Sequence, residues 1–278
     1  MITDIEPYLA LNNYKIIELV QENKRKKTKI LKVKKNGSFF IVKFISVDAH
    51  VDEKKNFISE VSFYSNKIGS YLPKLIERND NFLILEFVNG KTLRQIIKDR
   101  EFNNKVLISL LDQIKNLYIN SYSINNEVYD FENGISNLSN LLVSGPIQKS
   151  FLIIPLYKKY FFQIVLIVLK FKFKRYLKHI DFKILKKGFV HGDFHYNNII
   201  IDKKSNIKFI DFERTRSNGY FDFDIMYLIA MLEINLNDNS EELEKLNKAK
   251  IELFNNDSLI DIYNLFRFAV KLNIKFLV

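Results

Sequence analysis

Residues 28–46, TKILKVKK, then Asn36-Gly37, then SFFIVKFIS, leave the chain little freedom at that point. Two β-prone runs flank a dipeptide whose members both tolerate positive φ, as a type I′ turn requires, so the segment is expected to fold back as an antiparallel hairpin. YKIIELV at 14–20 supplies a third strand. VDEKKNFISEVSFYSNKI (51–68) carries apolar residues at 57, 58, 61 and 68 with charges between them, which is helical spacing. YLPKLIER and NFLILEFVNG (81–90) read as two further strands. About the first 90 residues are therefore expected to form a five-stranded antiparallel sheet with one helix inserted after the third strand.

Beyond Gly90 the period changes. KTLRQIIKD, NKVLISLLDQIKNLYINSY, YFFQIVLIVLKFKFKRYLKHI, MYLIAMLEI and SLIDIYNLFRFAVKL all repeat apolar residues at helical spacing. The expected class is α+β: a small antiparallel β lobe over residues 1–88 and a larger, mainly α lobe over 89–278, joined near 86–91. A chain of 278 residues, 47% hydrophobic and 27% charged, can bury such cores and is neither disordered nor fibrous. It has no cysteine, which excludes a disulfide framework or a thiolate metal site and suits the cytoplasm. MITDIEPYLALNNYK, with an acidic start and no apolar run behind a basic cap, does not read as a secretory signal. The net charge of +11 points to an anionic partner such as a nucleotide, a nucleic acid or an anionic membrane surface, although most of it is expected to be solvated lysine.

The stretch FVHGDFHYNNIIIDKKSNIKFIDFE, residues 189–213, sets His191, Asp193, His195, Asn198, Asp211 and Glu213 among β-prone runs. Phosphoryl transfer from ATP needs a carboxylate to orient the acceptor hydroxyl, and a second carboxylate with an amide oxygen to hold Mg²⁺ on the phosphates. Asp193 can fill the first role. Asn198 and Asp211 offer the hard oxygen donors that Mg²⁺ prefers. His191 and His195 are four apart, but their β-branched flanks argue against a helix and no third soft ligand accompanies them, so zinc is not expected there.

HGDFHYNNIII followed by FIDFE resembles the catalytic and metal-binding segments of the aminoglycoside phosphotransferases and choline-kinase-type small-molecule kinases, relatives of the protein kinase fold. The resemblance implies a two-lobed protein kinase-like fold using ATP and Mg²⁺, with Asp193 orienting the substrate hydroxyl and Asn198 and Asp211 binding metal. It also requires an upstream lysine and glutamate. Lys43, in the third strand, stands where that lobe carries its phosphate-binding lysine. Glu60, flanked by Phe57, Ile58, Val61 and Phe63, is the acid expected to hold it, since Glu53 lies too near the helix start. LILEFVNGKTLRQII looks like the lobe connector, whose backbone would meet adenine through the Glu86 carbonyl and the Val88 amide. Asp224 in YFDFDIMYLIA resembles the aspartate that hydrogen-bonds the catalytic loop, with Asp222 the weaker alternative, and His191 is expected to brace that loop. Glu213 either assists the metal or pairs with Arg214 or Arg216.

The chain departs from the pattern between its first two strands, where QENKRKKTK contains no glycine. Its lysines either replace backbone amides with charge at the phosphates or form a solvated turn, and the solvated turn is favoured. Two readings of another class stay open. One is a non-catalytic, kinase-shaped module docked on a membrane or nucleic acid, with nucleic acid the disfavoured partner. The other is a protein kinase, disfavoured because Asp211-Phe212-Glu213 stands in place of Asp-Phe-Gly and no Ala-Pro-Glu follows.

The mainly apolar half of the segment 160–179 ends after ten residues, too short to span a bilayer. It is expected to be a buried helix, with peripheral contact to anionic lipid at the inner membrane face as the alternative. For the hydroxyl acceptor, Glu233, Asp238, Glu241, Glu242, Glu244 and Glu252 would suit a polycation but are explained as well by helix capping. Tyr220, Phe221 and Phe223 are candidates for an amino-alcohol cage. The positive charge favours a neutral or anionic sugar, such as an envelope-glycan precursor.

Overall fold

The computed structural model describes residues 4–66, 69–121, 175, 187–236 and 241–253, with helical positions among 257–271. Met1–Gln95 together with Asn197–Thr215 form one compact unit, and Ile96–Tyr196 with Arg216–Val278 form a second. Along the chain run α1 (Glu6–Leu11), β1 (Lys15–Asn23), β2 (Thr28–Lys35), β3 (Ser38–Ile45), α2 (Val51–Asn66), β4 (Leu75–Arg78) and β5 (Phe82–Glu86). There follow β6 (Gly90–Thr92), α3 (Leu93–Lys98), α4 (Asn104–Ser121), β7 (Lys187–Val190), β8 (Ile199–Asp202), β9 (Ile207–Phe209), β10 (Arg216–Tyr220), α5 (Phe221–Asn235) and α6 (Glu241–Leu253).

In the first unit, β1 to β5 form an antiparallel sheet in the order β1-β2-β3-β5-β4. Lys35 pairs with Ser38 across a two-residue turn in which Asn36 has φ 49° and Gly37 φ 82°. That is the geometry Asn-Gly supplies at little steric cost. The sheet's core face includes Leu31, Val33, Val42 and Phe82, and it is closed by Ile5 and Leu9 at the short α1. Sequence periodicity gave no signal for α1, because one and a half turns are too short to show a period.

Strand β1 differs from its alternating pattern. Every residue from Lys15 to Glu22 is exposed, Ile16, Ile17, Leu19 and Val20 among them. It is the edge strand, and register shifts at Ile16/Glu18 and Leu19/Gln21 break the strict alternation of faces.

A second, three-stranded sheet in the same unit has the order β6-β8-β9. Its first strand arises just after the connector, where a Cβ on Gly90 would come 2.3 Å from the Ile201 carbonyl oxygen. Glycine is needed at that approach. The Phe209 N–H donates to the Tyr71 carbonyl at 2.9 Å, and Lys208 Nζ donates to the Leu72 carbonyl at 2.8 Å, fixing the small sheet to the segment that leads into β4.

In the second unit, β7 pairs with β10 antiparallel, and α5 packs against β7 and α6. The middle of α5, Ile225 to Leu232, is buried at every position but Tyr227. A helix apolar on all sides belongs inside a core. Apart from Arg175, the segment 160–179 lies outside the described residues. Among the described residues, no helix is long and apolar enough to cross a membrane.

Candidate active site

Asn198 and Asp211 come off the open end of one hairpin. In that hairpin β8 and β9 pair Ile199 with Phe209, and the Ile210 N–H then donates to the Asn198 carbonyl at 2.9 Å. The ladder thus continues one step beyond the strands, bringing the two polar residues to the same edge of the sheet. Asn198 is buried, whereas the Asp211 side chain keeps 36% of its surface. Asp211 also holds a φ of 65°, a left-handed conformation that aspartate tolerates better than most residues.

From the five-stranded sheet Lys43 reaches the same carboxylate, with its Nζ 2.7 Å from Asp211 Oδ1. It lies 2.6 Å from Glu60 Oε2 and 3.6 Å from Glu213 Oε2. Glu60 rises from α2 on its buried face and has a second partner, since its Oε1 accepts the Phe212 N–H at 3.2 Å. Phe212 is fully buried and stacks on Phe63 at 4.1 Å between centroids, with Tyr64 edge-on at 5.5 Å. Ile58, expected to flank Glu60 on the core side, is instead 55% exposed. It lies two positions from Glu60, about 200° around the helix axis.

Three carboxylates therefore crowd one buried ammonium. Burial opposes the charge on Lys43, but Glu60, Asp211 and Glu213 outweigh it and hold the lysine well above its ordinary pKa. Burial pushes the Glu60 carboxyl up to about 7, with Lys43 opposing and Asp211 and Glu213 adding to the rise. The cluster is short of positive charge.

Glu213 brings in a second lysine. Its Oε1 lies 3.1 Å from Lys26 Nζ, in the turn between β1 and β2, and Lys26 Nζ is also 3.3 Å from Glu53 Oε2. The favoured expectation of a solvated turn thus fails at Lys26, which keeps only 28% of its side-chain surface. Glu53 is engaged by Lys26, nearly two turns of α2 before Glu60.

In the second unit, Asp224 near the start of α5 accepts the His191 N–H at 2.6 Å and the Gly192 N–H at 3.3 Å. Burial pushes its carboxyl up to about 7 against those two bonds. Gly192 takes a φ of 74°, turning the chain from His191 into Asp193. The Asp193 N–H meets His191 Nδ1 at 3.3 Å, and the Asp193 carbonyl accepts the His195 N–H at 3.0 Å. His191 is fully buried beside Phe194, with 5.4 Å between ring centroids. The Asp193 side chain keeps 23% of its surface and lies 3.7 Å from His195 Nε2.

At the connector, Glu86 ends β5. Its N–H donates to the Lys74 carbonyl at 2.9 Å and its Oε2 accepts the Lys74 N–H at 3.2 Å. Phe87 donates to the Phe39 carbonyl at 3.3 Å, and the Val88 carbonyl accepts the Gly90 N–H at 3.1 Å. Of the acids weighed for an acceptor face, Glu233 is held by Arg267 Nε at 2.7 Å, Lys250 Nζ at 3.4 Å and the Tyr263 hydroxyl. Glu241 and Glu244 pair with Lys245 and Lys248 one turn on, at 2.6 and 2.8 Å.

Sequence reasoning singled out neither Lys26 nor Phe212, and weighed Glu53 only as a rival partner for Lys43, not as a partner of Lys26. A lysine among the five cations of QENKRKKTK carries no distinguishing signal, and Phe212 could have been found only as the apolar residue between two acids.

The matches to known proteins agree with this architecture. Residues 161–247 match the model of the phosphotransferase enzyme family, the family that the His-Gly-Asp and Asp-Phe-Glu motifs resemble. No curated protein sequence matches the chain. Among solved structures, the streptomycin–ATP ternary complex of APH(2")-IIa is 17% identical with a TM-score of 0.55, covering 97% of this chain and 87% of that one. Choline kinase from Cryptosporidium parvum is 13% identical with a TM-score of 0.58, covering 93% and 81%. Plasmodium vivax ethanolamine kinase is 18% identical with a TM-score of 0.51, covering 95% and 74%. The fold is the two-lobed, protein kinase-like fold of the aminoglycoside phosphotransferases and choline kinases.

Proposed function

We propose that the chain is a small-molecule kinase that transfers the γ-phosphoryl group of ATP to an alcohol hydroxyl. The observation that carries this reading is the buried Lys43 held between Glu60 and Asp211, a charge arrangement that a structural role does not require and that phosphoryl transfer does. In it Lys43 binds the phosphates and Glu60 holds Lys43 in place. Asp193 accepts or orients the hydroxyl proton, while His191 and Asp224 fix the backbone that carries Asp193. The Glu86 carbonyl and Val88 amide receive the adenine edge.

Mg²⁺ fits the residues present. Asn198 and Asp211 offer one amide and one carboxylate oxygen, the small protein share Mg²⁺ takes while keeping waters and phosphate oxygens. The excess of carboxylates around Lys43 is what a divalent cation would offset. When bound, the ion would neutralise the charge of the polyphosphate.

For the acceptor we favour a neutral or anionic sugar, such as an envelope-glycan precursor, over a polycation. Three of the acids that would have greeted a polycation, Glu233, Glu241 and Glu244, are engaged by Arg267, Lys250, Lys245 and Lys248. Aminoglycosides and amino alcohols belong in the same screen because of the structural likenesses.

The test is γ-labelled ATP with Mg²⁺ and a panel of sugars, amino alcohols and aminoglycosides. Label should appear in an acceptor, and Asp193→Asn should lower that transfer by about 10²–10⁴-fold with nucleotide binding retained. Equal transfer by the variant would remove Asp193 from the chemistry. The turn without glycine favours a second reading, a kinase-shaped binding module. Mg²⁺-dependent ATP binding without transfer to any acceptor of the panel would support it.

A further inference from the structure

The turn between β1 and β2 lacks the glycines that let backbone amides close over phosphates, and its own geometry removes amides further. The Lys26 N–H is taken by Asn23 Oδ1 at 3.1 Å. Lys27, at φ 53°, is fastened by its carbonyl to the Ser46 N–H at 2.9 Å and by its ammonium to Asp48. The Lys26 amide is thus occupied within the turn itself. The Lys26 side chain turns inward instead, its ammonium 3.1 Å from Glu213 Oε1, while the other oxygen of the same carboxylate is 3.6 Å from Lys43 Nζ. Glu213 thus lies between two ammonium groups as a phosphate oxygen pair would.

We infer that Lys26 is a second phosphate-binding cation, replacing the missing amide cradle with charge, and that Glu213 and Glu53 hold it in reserve until the nucleotide's terminal phosphates displace them. The inference rests on the kinase reading above and adds to it a residue of the chain's own. Attraction to the two acids, working against partial burial, raises the Lys26 pKa, so the side chain stays cationic at neutral pH. A phosphate arriving at Lys43 carries more charge than a carboxylate and offers more acceptor oxygens, so it competes well for the same ammonium.

Calorimetry of the full chain with Mg²⁺ and a non-hydrolysable ATP analogue, with AMP as the ligand lacking terminal phosphates, tests this. Lys26→Met should weaken the ATP analogue about tenfold, the scale of one charge-assisted hydrogen bond, with AMP affinity unchanged. Lys24→Met, a neighbouring cation, should alter neither. Glu53→Gln, which removes one of the groups holding Lys26, should tighten the ATP analogue, and that gain should vanish in the Lys26→Met background, as a coupled pair requires. Equal affinity of Lys26→Met and the unsubstituted chain for the analogue overturns the inference and leaves the kinase reading standing. Equal weakening of AMP and the analogue also overturns it, since the effect would then not come from the terminal phosphates. No binding of either nucleotide by the unsubstituted chain removes both.

Discussion

Glu60 holds Lys43 with one carboxylate oxygen at 2.6 Å and the backbone N–H of Phe212 with the other at 3.2 Å. One buried side chain on α2 therefore fixes a strand lysine and the residue next to Asp211 together. Glu60→Gln should keep a hydrogen bond to one of these partners and lose the charge that holds the other. Nucleotide affinity is expected to fall by about tenfold, as for loss of a charged hydrogen bond. Titration with the Mg²⁺–ATP analogue measures this, and an unchanged affinity would mean that Asp211 and Glu213 position Lys43 without Glu60.

Phe212 is expected to matter for stability more than its position between two acids suggests. It is fully buried, stacked on Phe63 and edge-on to Tyr64. Phe212→Ala should cost about 3–5 kcal/mol by lost burial and cavity formation. Urea unfolding gives the value, and a loss under about 1 kcal/mol would mean that the pocket collapses around the smaller residue.

Much of this was legible in the residues, and the parts that were not share a physical cause. Asn36-Gly37 announced its hairpin because few dipeptides tolerate two positive φ angles. The five strands and α2 followed from period. Lys43 and Glu60 could be named because the family resemblance requires a strand lysine and a helical acid upstream, and the residues offer one of each; period alone singles out neither. Strand β6 was hidden, since three residues, Gly90–Thr92, show no alternation and Gly90 is present for its close approach to Ile201. Lys26 was hidden because contacts between residues 187 positions apart leave no local pattern.

Gly90 yields a direct test of that close approach. Gly90→Ala would set a Cβ 2.3 Å from the Ile201 carbonyl oxygen, which is backbone and cannot rotate aside. The pairing of β6 with β8 must shift, at a cost of about 1–3 kcal/mol. Thermal unfolding of the variant checks it, and a midpoint equal to that of the unsubstituted chain would show that the connector yields freely.

Asp224 predicts a pH signature. Burial pushes its carboxyl up to about 7, so the folded chain retains a proton that the unfolded chain releases near 4. Its contribution to stability is full below the unfolded value and is lost as pH rises through about 7. Asp224→Asn cannot ionise. The stability of the original chain minus that of the variant should therefore fall between pH 4.5 and 7.5, with a slope of at most about 1.4 kcal/mol per pH unit. Urea unfolding of both proteins across that range measures the difference, and a flat difference would mean that the His191 and Gly192 N–H groups hold the carboxylate ionised throughout.

On the proposed reading, Asp211 allows metal binding to be separated from fold. Its φ of 65° is costly for alanine but accessible to asparagine, so Asp211→Ala mixes backbone strain with lost chemistry and Asp211→Asn does not. Asparagine keeps an oxygen donor and removes one of the three carboxylates around Lys43. The folded state should then be as stable as before, because Glu60 and Glu213 still face the lysine and one like-charge neighbour has gone. What should disappear is the tightening of ATP-analogue binding by Mg²⁺, since a neutral amide replaces the anionic donor. Calorimetry with and without the ion, beside thermal unfolding, reads both consequences. Persistence of the full Mg²⁺ effect in Asp211→Asn would move the metal to other ligands.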